Sequence, residues 1–96
     1  MEKSIYTAEY SAFTDLLKEL RKEAGITQVQ MAEMLEQTQS LFSKYERGEI
    51  RLDVIQLRTI ALKLGLTLTE FSAQLEKRLD SQKTQASHRS KSSTRR

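Results

Sequence analysis

Cysteine, proline and tryptophan are all missing from the 96 residues, and there is a single histidine, His88. Without cysteine the chain has neither a disulfide framework nor a thiolate metal site, and one histidine in a polar stretch cannot assemble an imidazole ligand set. A metal site is therefore not expected, and no cofactor is. No apolar run approaches the ~20 residues that a membrane span requires. The opening MEKSIYTAEY lacks the apolar stretch of a secretory signal, so a cytoplasmic protein is expected. Catalytic parts are scarce too. Glu33, Glu36, Glu46 and Glu49 lie among cations in an amphipathic context with no candidate base beside them, and no glycine-rich loop is present to cradle phosphate. An enzyme is not expected.

The charge is less one-sided than a pI of 9.3 suggests. Residues 80–96 carry Lys83, Arg89, Lys91, Arg95 and Arg96 against Asp80, a net +4, while the other 11 cations face 12 acids, leaving −1. A phosphate-binding surface on the folded part must therefore be local and built by geometry.

Length allows one domain with a modest core. Thr27 and Gln30, Asp53 and Gln56, and Thr67 and Glu70 each place a short oxygen-bearing side chain three residues before Gln or Glu, the pattern of a reciprocal helix cap. The three glycines, Gly25, Gly48 and Gly65, each follow a helical pattern where a stop is wanted. Between these marks the apolar spacing is helical rather than alternating. Tyr10, Phe13, Leu16, Leu17 and Leu20 mark a first helix over 8–24, and Met31, Ala32 and Leu35 a second over 28–36. Phe42 and Tyr45 anchor a third over 39–47, and Leu57, Ile60, Ala61 and Leu64 a fourth over 54–64. Phe71, Leu75 and Leu79 form the stripe of a fifth over 68–79. The expected organisation is all-α: an N-terminal extension over 1–7, a five-helix domain over 8–79, and a basic tail over 80–96. The tail offers only Ala86 as an apolar side chain and is expected to be disordered.

The segment QTQSLFSKYERGE, residues 37–49, is polar at its start and anchored by two aromatics. Only two or three residues around Gln37 and Thr38 separate the second and third helices, so the two must cross steeply. Phe42 and Tyr45 fix the buried side of the third helix and leave Gln39, Ser40, Ser43, Lys44 and Arg47 on its open sides. Two short helices joined in this way are what a helix-turn-helix reader of DNA requires, with the start of the second helix meeting base edges.

At this point the sequence resembles the Cro/cI-type regulators, the XRE family, whose fold is a five-helix, lambda-repressor-like domain. The matching text runs from LRKEAGITQVQMAEML through QSLFSKYERGEIRLDV to IALKLGLTLTEF, roughly residues 16–75. The resemblance implies that Gln28 grips a phosphate and braces the first residue of the recognition helix. It also implies that Gln39 and Ser40 read bases, Gln39 being suited to a bidentate contact with adenine N6 and N7. Lys44 matches a position open to guanine or to phosphate. Ser43, Arg47 and Arg51 match backbone-contact positions, and Arg21 and Glu46 a structural pair between the first helix and the end of the third.

Two positions depart from the family pattern. Glu36 stands where glycine usually makes the turn, at a cost of order 1 kcal/mol if it is left-handed. Leu41 has two roles open to it, a thymine methyl in the groove or the core.

The reading that follows is a regulator of transcription, in the first instance a repressor, binding double-stranded DNA as a homodimer on a pseudo-palindrome. Phe71, Leu75 and Leu79 are candidates for its dimer interface, with intramolecular packing as the alternative. Two rivals share the fold. One is the antitoxin of a toxin–antitoxin pair, with a toxin bound through the C-terminal region; the other is a protein-interaction adaptor that has lost DNA binding.

Overall fold

The computed structural model describes residues 7–87, with side chains through Ser81. Five helices follow one another, and no strand occurs among the described residues: α1 (Ala8–Glu23), α2 (Gln28–Met34), α3 (Gln39–Glu46), α4 (Val54–Lys63) and α5 (Leu68–Ser87).

The starts of the helices are where the capping residues place them. Thr27 Oγ1 accepts from Gln30 N at 3.0 Å, and Gln30 Oε1 accepts from Thr27 N at 2.9 Å. Asp53 and Gln56 make the same exchange at 2.8 and 3.0 Å, and Thr67 and Glu70 at 3.1 and 2.9 Å. Thr7 and Thr38 cap α1 and α3 through single side-chain acceptors. Each cap satisfies backbone amides that would otherwise have no partner in the first turn, worth typically ~1 kcal/mol. Thr7 is the one described residue of the expected N-terminal extension; the rest of it lies outside the described residues.

The core lies where these helices converge. Leu17, Met31, Phe42, Ile60, Ala61 and Phe71 are at most 1 % exposed, so every helix contributes to it. Phe13 meets Phe71 edge-on at 5.8 Å between ring centroids, and Phe42 meets Tyr45 at 6.4 Å. α1 packs on α3 and α5, α2 on α3, and α4 on α5. At the rim, the Arg78 guanidinium of α5 pairs with the Glu19 carboxylate of α1 and holds that carboxyl below the usual carboxylate range.

The structure bears on two readings left open above and corrects one boundary. Phe71 is fully buried against Phe13 within the chain, so it has no surface to offer a second copy; Leu75 is partly buried against the same core, and Leu79 is half-buried. Leu41 is partly buried against the core, in line with the packing alternative, and keeps some exposed surface. Finally, α5 continues to Ser87, eight residues past the expected end at Leu79. From Asp80 to Ser87 there is no glycine or proline to stop it, and Gln82, Lys83, Gln85 and Ala86 are acceptable helix formers on an already nucleated helix. The remainder of the expected tail, residues 88–96, lies outside the described residues.

Candidate nucleic-acid interface

α2 and α3 are joined by Leu35 to Thr38, and the bend is made at Glu36, the one non-glycine residue with positive φ among those described, at 59°. Two backbone bonds close the end of α2: Glu36 N donates to Glu33 O at 3.0 Å, and Gln37 N donates to Ala32 O at 2.9 Å. This is the Schellman arrangement, with glutamate in the left-handed position that glycine fills at the end of α3. The helix accordingly ends at Met34, two residues short of the expected Glu36. Glu36 is exposed, so its strain is local, of order 1 kcal/mol.

Beyond this turn, Thr38 caps α3 by accepting from Leu41 N at 3.1 Å. Phe42 and Tyr45 point into the core at 0 % and 5 % exposure. Gln39, Ser40 and Lys44 are left exposed, while Ser43 is half-buried.

A chain of side chains crosses the two helices from inside to outside. Arg21 of α1, 6 % exposed, donates from Nε to Glu46 Oε2 at 2.6 Å and from Nη2 to Glu46 Oε1 at 3.1 Å. Its third contact is from Nη1 to Ile26 O at 2.7 Å. Glu46, 5 % exposed at the end of α3, also accepts from Gln28 Nε2 at 2.9 Å. Gln28, at the start of α2, in turn accepts at Oε1 from Gln39 Nε2 at 2.8 Å.

The direction of this chain is fixed by chemistry. An ionised carboxylate only accepts, so the NH2 of Gln28 must face Glu46 and its oxygen must face Gln39. Gln39 therefore turns its NH2 toward Gln28. That leaves its Oε1 and its second N–H as an acceptor and donor pair in a fixed orientation.

The cations take separate positions. Arg47 donates from Nε and Nη2 to the Glu49 carboxylate at 2.7 and 3.3 Å, and from Nη1 to Ser43 Oγ. Both partners of the ion pair are about half exposed, and the hydrogen bonding holds the Glu49 carboxyl below its usual range and raises Arg47. Arg51 is exposed and stacks on the Tyr10 ring, its guanidinium carbon 4.7 Å from the centroid, a cation–π contact. Tyr10 further accepts from Leu52 N at 3.2 Å and so ties α1 to the segment between α3 and α4.

Among the residues singled out in the sequence, Arg21, Gln28, Gln39 and Glu46 are thus brought into one bonded chain. Ser43 and Arg47 form a second group, and Arg51 lies over the Tyr10 ring. Sequence reasoning missed Glu49 as the partner of Arg47, though opposite charges on either side of Gly48 were a signal for it. It also missed Tyr10 as the seat of Arg51, a relation over forty residues that no local pattern carries.

Comparison with known proteins agrees with this geometry. Residues 17–71 match the Helix-turn-helix family HTH_3. The control protein C.MunI of Mycoplasma sp is 32 % identical over 66 residues, which are 68 % of this chain and 89 % of that protein. Among solved structures, an XRE-family like protein from Pseudomonas syringae pv. tomato str. DC3000 is 42 % identical. It superposes with a TM-score of 0.69, over 77 % of this chain and 90 % of that one. The clp gene regulator ClgR of Corynebacterium glutamicum, at 20 % identity, shares the fold with a TM-score of 0.71 over 83 % and 85 % of the two chains. Helix-turn-helix architecture, the bonded chain across α2 and α3, and these relatives agree: the chain belongs to the Cro/cI-type, or XRE, family of helix-turn-helix DNA-binding transcription regulators.

Proposed function

We propose that this regulator is a sequence-specific repressor that binds double-stranded DNA as a homodimer on a pseudo-palindromic operator. The observation that carries the reading is the orientation of Gln39. Its Nε2 is tethered to Gln28 at 2.8 Å while the residue stays exposed at the start of α3. The remaining N–H and Oε1 match adenine N7 and N6 in the major groove. Because the amide is already turned, little side-chain entropy remains to be lost on binding.

Ser40 and Lys44 lie on the same open side of α3 and serve as further contacts to bases or phosphate. Gln28, Ser43, Arg47 and Arg51 serve the phosphate backbone. For Arg47 this requires exchange of Glu49 for a phosphate oxygen, a change of one anion for another that an exposed pair permits. Pairing is supported by the small number of contacts that one module of this size can make, since two half-sites about 34 Å apart nearly sum their binding energies. Leu75 and Leu79 remain as half-buried candidates for that pairing along α5.

The test is binding of the full chain to operators carrying each substitution in a half-site. The Gln39→Ala protein is expected to lose preference at one base pair, at a cost of ~1–3 kcal/mol, while Arg47→Ala weakens all duplexes alike. A Gln39→Ala protein that keeps its full selectivity contradicts the assignment. Binding of one copy per operator contradicts the homodimer.

A further inference from the structure

α4 repeats one spacing on two sides. Leu57, Ile60, Ala61 and Leu64 follow at steps of three, one and three, and they turn toward the core. Ile55, Arg58, Thr59 and Leu62 have the same steps on the opposite side, and all four are exposed. Both ends of this outer stripe are apolar: Ile55 is 69 % exposed and Leu62 47 %, with Val54, one residue earlier, at 59 %. A single exposed apolar side chain needs no explanation, but three on one helix of 10 residues form a patch.

The patch runs on into a half-open cleft of about 190 Å³ whose apolar wall is Leu35, Leu52, Ile55 and Ile60. By their fractional exposures, Val54, Ile55 and Leu62 alone leave roughly 300 Å² of apolar surface in water. That is too little for a whole interface. It suits the apolar centre of one that buries about 800 Å² per partner behind a polar rim. Arg58, Thr59 and Lys63, all exposed, supply such a rim. On α5, by contrast, Phe71 is taken by Phe13, and Leu75 and Leu79 are already half-buried within the chain.

We propose that the outer face of α4 is where a second copy of this chain docks, the two α4 helices packing antiparallel about a two-fold axis. The inference rests on the homodimer reading given above and names its interface. Ile55 and Leu62 stand equally far from the midpoint between Arg58 and Thr59, about 5 Å to either side along the helix. A two-fold axis through that midpoint sets the Ile55 of each copy against the Leu62 of the other, so one contact is made twice, as an isologous interface requires. Arg58 comes near its own counterpart at the axis. Its side chain is exposed and turns its charged head to water, where repulsion between like charges weakens the dimer only slightly.

The experiment is sedimentation equilibrium of the full chain without DNA, for each protein alone and for mixtures. The wild-type chain should form dimers. Ile55→Glu and Leu62→Lys place good helix formers at exposed positions, with the charges that suit the start and the end of a helix. Each should weaken the dimer about a hundredfold, since every dimer loses the contact twice. Mixing the two variants should restore most of the affinity. The introduced carboxylate then meets the introduced ammonium, and the remaining Leu62 and Ile55 meet each other. Arg58→Ala should tighten the dimer a few-fold by removing the like charges at the axis. A dimer indifferent to both single substitutions overturns this face and leaves the homodimer reading standing, as does a mixture no tighter than its components or an Arg58→Ala dimer weaker than the wild type. A wild-type chain that stays monomeric at every concentration overturns both.

Discussion

Gln28 stands between Glu46 and Gln39, giving its two amide protons' side to the first at 2.9 Å and its oxygen to the second at 2.8 Å. Through it, a buried ion pair at one end of α3 sets the orientation of an exposed amide at the other end. The arrangement leads from a core contact to a surface property in two hydrogen bonds, and it yields separable expectations for each member.

Gln28→Glu replaces the NH2 that faces Glu46 with a second acceptor. Two carboxylates then meet at hydrogen-bond distance; the oxygen that accepts from Gln39 is still present, but repulsion from Glu46 displaces it. The variant should be less stable than Gln28→Ala and should bind all operators weakly. Gln28→Ala should keep the fold but lose affinity and selectivity together, by about 1–3 kcal/mol. Chemical denaturation alongside duplex titration distinguishes the two effects.

Arg21→Ala leaves the Glu46 carboxylate buried without its cation and removes the donor to Ile26 O. Breaking a buried pair from one side costs about 3–5 kcal/mol. The double replacement Arg21→Met with Glu46→Leu should cost much less, because no charge is left uncompensated. If the single and double variants unfold at the same denaturant concentration, the pair is not the anchor described here.

Glu36→Gly should stabilise the chain. The left-handed turn at φ 59° strains glutamate and not glycine, and the net gain after glycine's extra backbone freedom is about 0.5–1 kcal/mol. The melting temperature should rise by a few degrees. A fall in melting temperature shows that Glu36 makes a compensating contact.

Glu49→Gln should release Arg47 from its carboxylate and tighten binding to every duplex by a factor of a few, with a steeper dependence on salt. The pH dependence has a definite sign. The Glu49 carboxyl is held below its usual range by hydrogen bonding from Arg47. Its small contribution to stability is therefore present at neutral pH and above the ordinary carboxylate pKa, and is lost as pH falls through the depressed value. The wild-type chain should keep the pair through mildly acidic pH, so its affinity relative to Glu49→Gln should change only below the ordinary carboxylate range.

Helix starts were legible because a cap is a local event: Thr27, Asp53 and Thr67 each find their partner three residues away. The stop of α5 was not, because Asp80 to Ser87 contains no residue that ends a helix, and an exposed helix needs no apolar pattern to continue. Phe71 was left open for a different reason. A stripe at 71, 75 and 79 says that a face is apolar, and does not say whether α1 or another molecule covers it. At the candidate site, resemblance to a family supplied two pairs, Gln28 with the first residue of α3 and Arg21 with Glu46, but not the Gln28–Glu46 bond that joins them. Their union in a single directed chain depends on tertiary distances and was visible only in the fold.

The measurement that bears most directly on the account is selection of bound duplexes from a random pool by the full chain, in parallel with Gln39→Ala. The wild-type protein should enrich two inverted half-sites about 34 Å apart, each with a fixed A·T pair that Gln39→Ala ceases to select. Enrichment of no sequence at all, or of the same sequence by both proteins, contradicts the claim that the tethered Gln39 amide reads DNA.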